Sequence, residues 1–145
     1  MASKIAIVRI RGIRSVKPRI KRTMELMRIE KPNHCVVIDD TVQNMGMVQV
    51  IRDYVTFGPI KVETLELLLM KRGEKGSLKF KVTKKEDEIK KIAQEVMAGK
   101  PLKDFADPVF RLHPPKKGMK NIKLAYPLGA IGKRDNMDAF IRKMI

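Results

Sequence analysis

The first forty residues combine short apolar runs with one stripe of helical spacing. Residues Ile5 to Ile10 alternate and are rich in β-branched side chains, which predicts a strand, and Gly12 allows the chain to turn after it. A helix is predicted to begin at Pro18 and to end before Pro32. Its apolar stripe recurs at i, i+4 and i+7 and consists of Ile20, Met24 and Met27. His34 to Ile38 predicts a second, buried strand.

A second helix is predicted from about Asn44 to Phe57, where Gly58-Pro59 would end it. Its apolar face comprises Met47, Val48, Ile51, Tyr54 and Val55. The side chains of Asp39-Asp40-Thr41 precede this helix and are suited to capping its amino end. The first half of the chain is therefore predicted to run β-α-β-α.

The middle of the chain is predicted to be mostly helical. A short helix through Thr64 to Leu69 would end near Gly73, where glycine suits a C-cap. Residues Leu78 to Val82 alternate with lysines as an exposed strand would, and Thr83 and Glu86 have the spacing of a capping box. The helix that follows has five apolar residues on one face, namely Ile89, Ile92, Ala93, Val96 and Met97.

Two further elements are predicted near the carboxyl end. Val109 to Leu112 predicts a strand that Pro114-Pro115 would break, and a short helix is predicted to start near Asp135. The apolar side of this last helix consists of Met137, Phe140, Ile141 and Met144. A chain of 145 residues suits one domain with extensions. The sequence thus predicts one compact α/β (α+β) body.

The large positive charge of the chain indicates that its partner is a polyanion. Lys and Arg total 32 against 16 Asp and Glu, a formal charge of +16, while the hydrophobic share is 43%. Residues 1–33 hold ten basic and two acidic residues, and residues 111–134 hold seven basic and no acidic ones. Residues 62–99 hold nine basic and seven acidic residues, as expected for a solvated, mixed surface. Nucleic acid is the expected partner, because its phosphates would neutralise the excess cations.

Candidate catalytic and metal sites fall short of the chemistry that they would need. A structural zinc site takes about four Cys or His ligands, and the chain has one Cys and two His. Residues Gly129 to Arg134 resemble a phosphate loop but lack the four-residue gap between glycines and the Ser or Thr after the Lys. Asp39 and Asp40 are adjacent, which suits capping better than paired acid and base roles. We expect no enzyme, metal, cofactor or small-molecule substrate.

Membrane and secreted locations are not expected either. The longest apolar stretch is Leu67 to Met70, far short of the ~18 residues that a membrane span needs. The amino end leads straight into a strand-like segment with charges at Arg9 and Arg11, so it has no secretory apolar core. We expect the protein in the cytoplasm.

The expected binding mode is contact with phosphates and with RNA shape. The chain has 5% aromatic residues and no Trp, so stacking on unpaired bases has little support. No helix-turn-helix, zinc-finger or basic-zipper pattern is present in the sequence. Two segments favour nucleic-acid contact. Residues 11–18 place cations around a glycine before a helix amino end, and residues 114–120 place cations after a stiff turn.

Five segments together resemble the large-subunit ribosomal proteins of the L-thirty family, in the long form of archaea and eukaryotes. They are residues 9–29, which begin Arg9-Ile10-Arg11-Gly12; Asn44-Met45-Gly46-Met47; residues 67–73; Phe110-Arg111-Leu112-His113-Pro114-Pro115; and residues 129–134. The resemblance implies a β-α-β-α-β core with a small antiparallel sheet, ferredoxin-like in character, a helical insertion and a short C-terminal helix. Val109 to Leu112 would be the closing strand of that core. Residues 1–61 and 108–145 would form the core RNA-binding domain, and residues 62–107 a mostly helical insertion in the same compact unit.

The resemblance further implies a structural, non-enzymatic protein of the ribosome. Its partners would be large-subunit ribosomal RNA and other large-subunit ribosomal proteins. The resemblance carries an RNA-contact role to Arg11, Arg14, Lys17, Arg19, Lys21 and Arg22. Charge and position add Lys116, Lys117, Lys120, Lys133 and Arg134.

Two other functions remain open at this point. A free-standing RNA or DNA chaperone would sediment away from large subunits, whereas a ribosomal scaffold would travel with them. An RNA-modifying enzyme would lose turnover when a carboxylate such as Asp39 or Asp40 is replaced.

Overall fold

A six-stranded sheet with helices on both faces forms the body of the protein. The computed structural model describes residues 3–12 and 14–145. The strands are β1 (Lys4–Arg9), β2 (His34–Asp39), β3 (Val55–Pro59), β4 (Glu74–Lys75), β5 (Leu78–Lys79), β6 (Val109–Arg111), β7 (Asn121–Ala125) and β8 (Gly129–Lys133). The helices are α1 (Pro18–Leu26), α2 (Val42–Ile51), α3 (Val62–Arg72), α4 (Phe80–Thr83), α5 (Glu86–Met97) and α6 (Met137–Met144). Leu102–Asp104 forms one turn of 3₁₀ helix.

The order of strands across the sheet is β6-β2-β1-β3-β8-β7, and β4 and β5 form a separate hairpin. Strand β1 runs antiparallel to both β2 and β3, and β6 runs antiparallel to β2. Strand β8 is parallel to β3, and β7 lies beside β8 with a shifted register. The sheet is therefore larger than the small antiparallel sheet that was expected, and it is mixed.

Strand β1 is buried on both faces. All six of its residues are buried, although Lys4 and Arg9 are charged. Ala6 and Val8 pack into one apolar cluster with α3, α5 and α6, whereas Ile5 and Ile7 pack into a second cluster with α1 and α2. The alternation of side chains along the strand thus feeds two cores, one on each face of the sheet. The α+β class expected from the sequence is confirmed.

Four predicted helices are confirmed, and their apolar stripes are the buried faces. Pro18 occupies the first turn of α1, but this helix ends at Leu26, well before Pro32, and Arg28 turns the chain with φ +62. Helix α3 ends before Gly73 as expected. The buried stripes of α5 and α6 include Ile89, Ile92, Ala93, Val96, Met137, Phe140, Ile141 and Met144.

The second helix is shorter than predicted. Helix α2 begins after Thr41, whose hydroxyl accepts the Asn44 N–H at 3.2 Å, and it ends at Ile51. The next apolar residues form strand β3, in which Val55 and Phe57 pack against the α1 and α2 side of the sheet. β-branched and aromatic residues suit a strand as well as a helix stripe, so the pattern did not separate the two.

The third core strand is therefore β3, and the expectation that Val109 to Leu112 closes the core was wrong. Val109–Arg111 is a strand, as predicted, but it pairs with β2 at the edge of the sheet. Strands β7 and β8 were not anticipated at all.

The segment around Phe80 also differs from its prediction. Strand β5 has only two residues, and the chain then enters the short helix α4, which buries the Phe80 ring. The Thr83 hydroxyl donates to the Lys79 carbonyl at 3.0 Å, so it does not cap α5. The Phe80 side chain enters the same apolar cluster as Leu68.

The close approach of the chain at Gly58 generates a prediction about stability. A Cβ at this position would lie 2.0 Å from the backbone carbonyl oxygen of Arg134, whereas Gly46 in α2 has open space around it. We expect Gly58→Ala to lower the free energy of unfolding by about 1–3 kcal/mol, because backbone must move. Gly46→Ala should raise it by about 0.5–1 kcal/mol, because alanine is the better helix former. Urea denaturation of both variants tests this, and equal effects would contradict it.

Candidate nucleic-acid interface

The guanidinium of Arg9 organises the loop that follows β1. Arg9 is 3% exposed, and burial lowers the pKa of its guanidinium. Its nitrogens donate to four backbone carbonyls, those of Arg11 at 3.0 Å, Gly12 at 3.1 Å, Ile29 at 3.1 Å and Glu30 at 2.8 Å. These bonds tie the loop after β1 to the turn before β2. Arg9 thus positions the loop that carries its basic neighbours.

Tyr54 anchors the same loop from the β3 side. The backbone N–H groups of Ile10 and Arg11 both donate to the Tyr54 carbonyl, at 3.0 and 3.1 Å. The Arg11 guanidinium lies 5.1 Å from the centre of the Tyr54 ring, a cation-π distance. Arg14 is exposed next to it, and Ile13 lies outside the described residues. Ile122 of β7 borders the same depression as Arg11 and Arg14.

The amino end of α1 presents the next group of cations. Its exposed members are Lys17, Arg19, Lys21 and Arg22. Ile20 packs between them into the cluster under α1 and α2, so the cations lie on the outer side of the helix. Among the described residues, Arg22 is the one member of this group that forms an ion pair, with Glu25 at 3.6 Å. The first turn of α1 holds no acidic residue, so its free N–H groups and its cations favour an anion.

The predicted cations of the carboxyl-terminal segment are spread over a wider area. Lys116, Lys117 and Lys120 are exposed between β6 and β7, and the Lys120 ammonium donates to the Pro127 carbonyl at 3.0 Å. Lys133 is exposed on β8, where it pairs with Phe57. Phe57 is two residues, roughly 7 Å, along β3 from the position opposite Arg9. The structure therefore does not bring Lys133 into the group around Arg11.

Arg134 is largely occupied within the protein. Its guanidinium lies 4.1 Å from the Phe140 ring centre and 4.9 Å from that of Tyr126. It also donates to the Thr56 hydroxyl at 3.3 Å and to the Ala130 carbonyl at 3.0 Å. Burial lowers the pKa of this guanidinium. These contacts hold β8 against β3 and α6, and a contact of Arg134 with RNA stays a prediction.

Sequence reasoning missed a row of basic side chains that the sheet register assembles. Arg111 lies opposite His34, and His34 lies beside Arg9 on the next strand. Burial first, and then Arg111 and Lys31, lower the pKa of His34. The Nδ1 atom of His34 is buried without a hydrogen-bond partner in the described part of the chain. Nothing in the local sequence indicates this row, because it depends on which strands pair.

Comparisons with known proteins identify relatives of this chain. A statistical model of the family described as Ribosomal protein L30p/L7e matches residues 5–55. The large ribosomal subunit protein uL30 of Archaeoglobus fulgidus is 48% identical over 88% of this chain and 90% of its own length. The proteins of the same name from Methanothrix thermoacetophila and Methanococcus maripaludis are 37% and 38% identical, over 96% and 97% of this chain and 98% of each relative.

The chain belongs to the L-thirty family of ribosomal proteins.

Membership of the L-thirty family confirms the resemblance inferred from the five segments. Its proteins are structural components of the large ribosomal subunit, which also confirms the expectation of a non-enzymatic protein. Over residues 3–12 and 14–145, no helix is both long enough and apolar enough to cross a membrane. The same residues hold no group of three or more His, Cys, Asp or Glu side chains arranged to bind a metal ion.

The scaffold role of Arg9 leads to a stability prediction. Arg9→Met should lower the free energy of unfolding by roughly 2–4 kcal/mol, because it leaves four carbonyls without their donor. Arg14→Met removes the same charge from an exposed site and should change stability by less than about 0.5 kcal/mol. Chemical denaturation measures both. A small loss for Arg9→Met would show that the loop holds together without this guanidinium.

His34 provides a prediction about pH. Its pKa in the folded protein should lie below the usual value of 6.5 and should rise in Arg111→Gln and Lys31→Gln, because each removes a nearby positive charge. Since the folded-state pKa is depressed, the stability contributed by neutral His34 is complete above pH 6.5 and is lost as pH falls through the lowered pKa. NMR titration of the imidazole measures the shift, with Lys90→Gln as the charge-matched control. A His34 pKa at or above 6.5 would contradict the assignment.

Proposed function

We propose that this protein is a structural constituent of the large ribosomal subunit that binds and stabilises folded ribosomal RNA through basic surfaces. The observation that carries the proposal is the cationic end of the sheet, where Arg9 and Tyr54 hold the loop from which Arg11 and Arg14 project. The exposed cations of α1 continue this surface. We call the loop and helix residues Arg11, Arg14, Lys17, Arg19, Lys21 and Arg22 the loop-helix surface.

Phosphates and RNA shape are the features that this surface suits. Most of the aromatic rings are buried in the interior and cannot stack on bases, namely those of Phe57, Phe80, Phe110 and Phe140. Tyr54 is half-buried beneath Arg11, which covers its ring. Cations at set positions can neutralise phosphates and release counterions, which gives affinity without base stacking.

The partners follow from this role. Large-subunit ribosomal RNA is the expected ligand, with other large-subunit ribosomal proteins as neighbours. The relatives are all named as proteins of the large ribosomal subunit, which supports a location in ribosomes. Lys116, Lys117, Lys120 and Lys133 would extend the contact beyond the loop-helix surface.

The proposal keeps the division of the chain into a core and an insertion. Residues 1–61 and 108–145 would form the RNA-binding core, and residues 62–107 an insertion within the same compact unit. Two observations support it. The family match covers residues 5–55, which end at the start of β3, and residues 62–107 are mostly helical, in α3, α4 and α5.

The loop-helix surface can be tested by removing three of its arginines together. Replacing Arg11, Arg14 and Arg19 with Ala should weaken binding to large-subunit ribosomal RNA and should flatten its salt dependence. The slope of log Kobs against log[salt] should fall by about 2, because each lost phosphate contact contributes roughly 0.7–0.9. Filter binding of the full chain over a KCl series measures this.

The control for that experiment removes the same charge elsewhere. Lys90, Lys91 and Lys103 are exposed on α5 and the 3₁₀ turn, so replacing them with Ala should leave the slope unchanged. An arginine variant with the slope of the native protein would remove this surface from the proposal.

Sedimentation of the native protein from gently lysed cells decides between a scaffold and a free chaperone. Migration with the large subunit, with RNA crosslinks at both basic segments, is the expected result. Migration as a free protein with scattered crosslinks would overturn the proposal.

A further inference from the structure

The charges of residues 62–99 are segregated along the chain. Residues 71–85 hold seven basic residues and one acidic residue, whereas residues 86–99 hold two basic and four acidic ones, and residues 62–70 hold two acidic ones. The near balance over the whole stretch is therefore an average of two different surfaces. The basic part coincides with the β4–β5 hairpin and α4.

The single acid of the basic part, Glu74, lies opposite Lys79 in the hairpin, but its ion pair is with an arginine outside the hairpin. The Glu74 carboxylate accepts the Arg111 guanidinium at 3.0 Å, on the edge strand β6. Lys75, Lys79 and Lys81 are exposed, and Lys84 lies 5.2 Å from the Phe80 ring centre. We call these four lysines the hairpin surface. Among the described residues, no carboxylate forms an ion pair with any of them.

The hairpin surface is held firmly to the body of the protein. Phe80 is buried in the core, and its N–H donates to the Gly73 carbonyl at 2.9 Å. A Cβ at Gly73 would lie 2.9 Å from a carbon of the Phe80 ring, so this ring packs directly on the end of α3. The Asp107 N–H donates to the Glu74 carbonyl at 2.8 Å. Lysines on such a base lose little backbone freedom when they bind, which favours affinity.

Exposed apolar side chains accompany these lysines. Leu78 is 60% exposed and Val82 is 85% exposed, and they alternate in sequence with Lys79 and Lys81. A partner that covered this surface would bury apolar area while it neutralised charge. The sugar-phosphate backbone of RNA offers both an anion and an apolar ribose face. The acidic first turn of α5, with Glu86, Asp87 and Glu88, borders the hairpin surface and would repel RNA on that side.

We propose that the hairpin surface is a second RNA-binding site, which takes the phosphate backbone of a ribosomal-RNA segment different from the one on the loop-helix surface. This inference rests on the proposed function. The hairpin contacts β6 through the Glu74–Arg111 pair, and β6 lies two strands, about 10 Å, from β1, whose end carries the loop-helix surface. The separation allows each surface to hold its own segment of folded RNA.

The decisive variant replaces Lys75, Lys79 and Lys81 with Ala in the full chain. Its binding to deproteinised large-subunit ribosomal RNA is measured over a KCl series, with hydroxyl-radical footprinting of the RNA. We expect the salt slope to fall by about 2, since three phosphate contacts are lost. We also expect the loss of protection at nucleotides that the Arg11, Arg14 and Arg19 variant still protects. The charge-retaining variant with Arg at the same three positions should keep the native slope.

The controls separate failure of this inference from failure of the proposed function. The Lys90, Lys91 and Lys103 variant should behave as the native protein, and thermal melting should show that every variant is folded. If the hairpin variant keeps the native slope and footprint while the loop-helix variant loses them, the second site is overturned and the proposed function stands. If the native protein shows no footprint, the proposed function itself fails. If the hairpin variant binds RNA normally but loses a ribosomal protein from assembled subunits, the surface binds protein and the inference is overturned.

Discussion

The burial of β1 on both faces is the constraint on which the rest of the structure depends. A strand in this position must feed two cores, and it must also bury the charged residues at its two ends. Burying a charge is costly unless the charge is paired or fully hydrogen-bonded. Lys4 meets the requirement by pairing with Asp39, and Arg9 meets it by donating to four carbonyls. The four bonds of Arg9 tie Arg11 and Gly12 to the turn before β2.

The hydrogen bonds of Arg9 separate this buried arginine from its exposed neighbour Arg14. Arg9 takes up the carbonyls of Arg11 and Gly12, whereas Arg14 is exposed. The buried Arg9 thus positions the loop that carries Arg11 and Arg14. The same division occurs at the end of β8, where Arg134 packs on Phe140 and Tyr126 while its neighbour Lys133 is exposed.

Several acidic residues form hydrogen bonds or ion pairs with other groups of the protein. The Asp138 carboxylate accepts the Lys61 N–H and the Thr64 hydroxyl, Asp39 pairs with Lys4, and Glu74 pairs with Arg111. Acids committed to caps and strand edges do not neutralise the outer cations. The excess positive charge of the chain is therefore concentrated on its exposed loops and helix ends, where a polyanion can reach it.

The sequence predicted those elements whose apolar pattern fits only a helix or only a strand. It failed where the pattern fits both. The stripe of α5 has helical spacing only, whereas Val55 and Phe57 satisfy a helix face and a strand equally well. Strands β7 and β8 escaped notice because β7 is exposed throughout and β8 is rich in glycine. At the site, the cations after Gly12 were predictable from charge and turn chemistry. Arg9 and Arg11 look alike in the sequence, and only burial separates their roles.

The hairpin surface shows why a count of charges over a long stretch hides a binding site. Electrostatic attraction acts over a Debye length of about 8–10 Å, so a phosphate responds to the few charged residues near it and not to the average charge of residues 62–99. Lys75, Lys79 and Lys81 lie within one hairpin and its adjoining turn, whereas the acids that balance them lie mostly on α3 and α5. The Glu74 to Arg111 pair then adds a second effect, because an arginine outside the hairpin neutralises the one acid within it. Segregation of charge between neighbouring elements, and not net charge, is what makes such a surface able to select a polyanion.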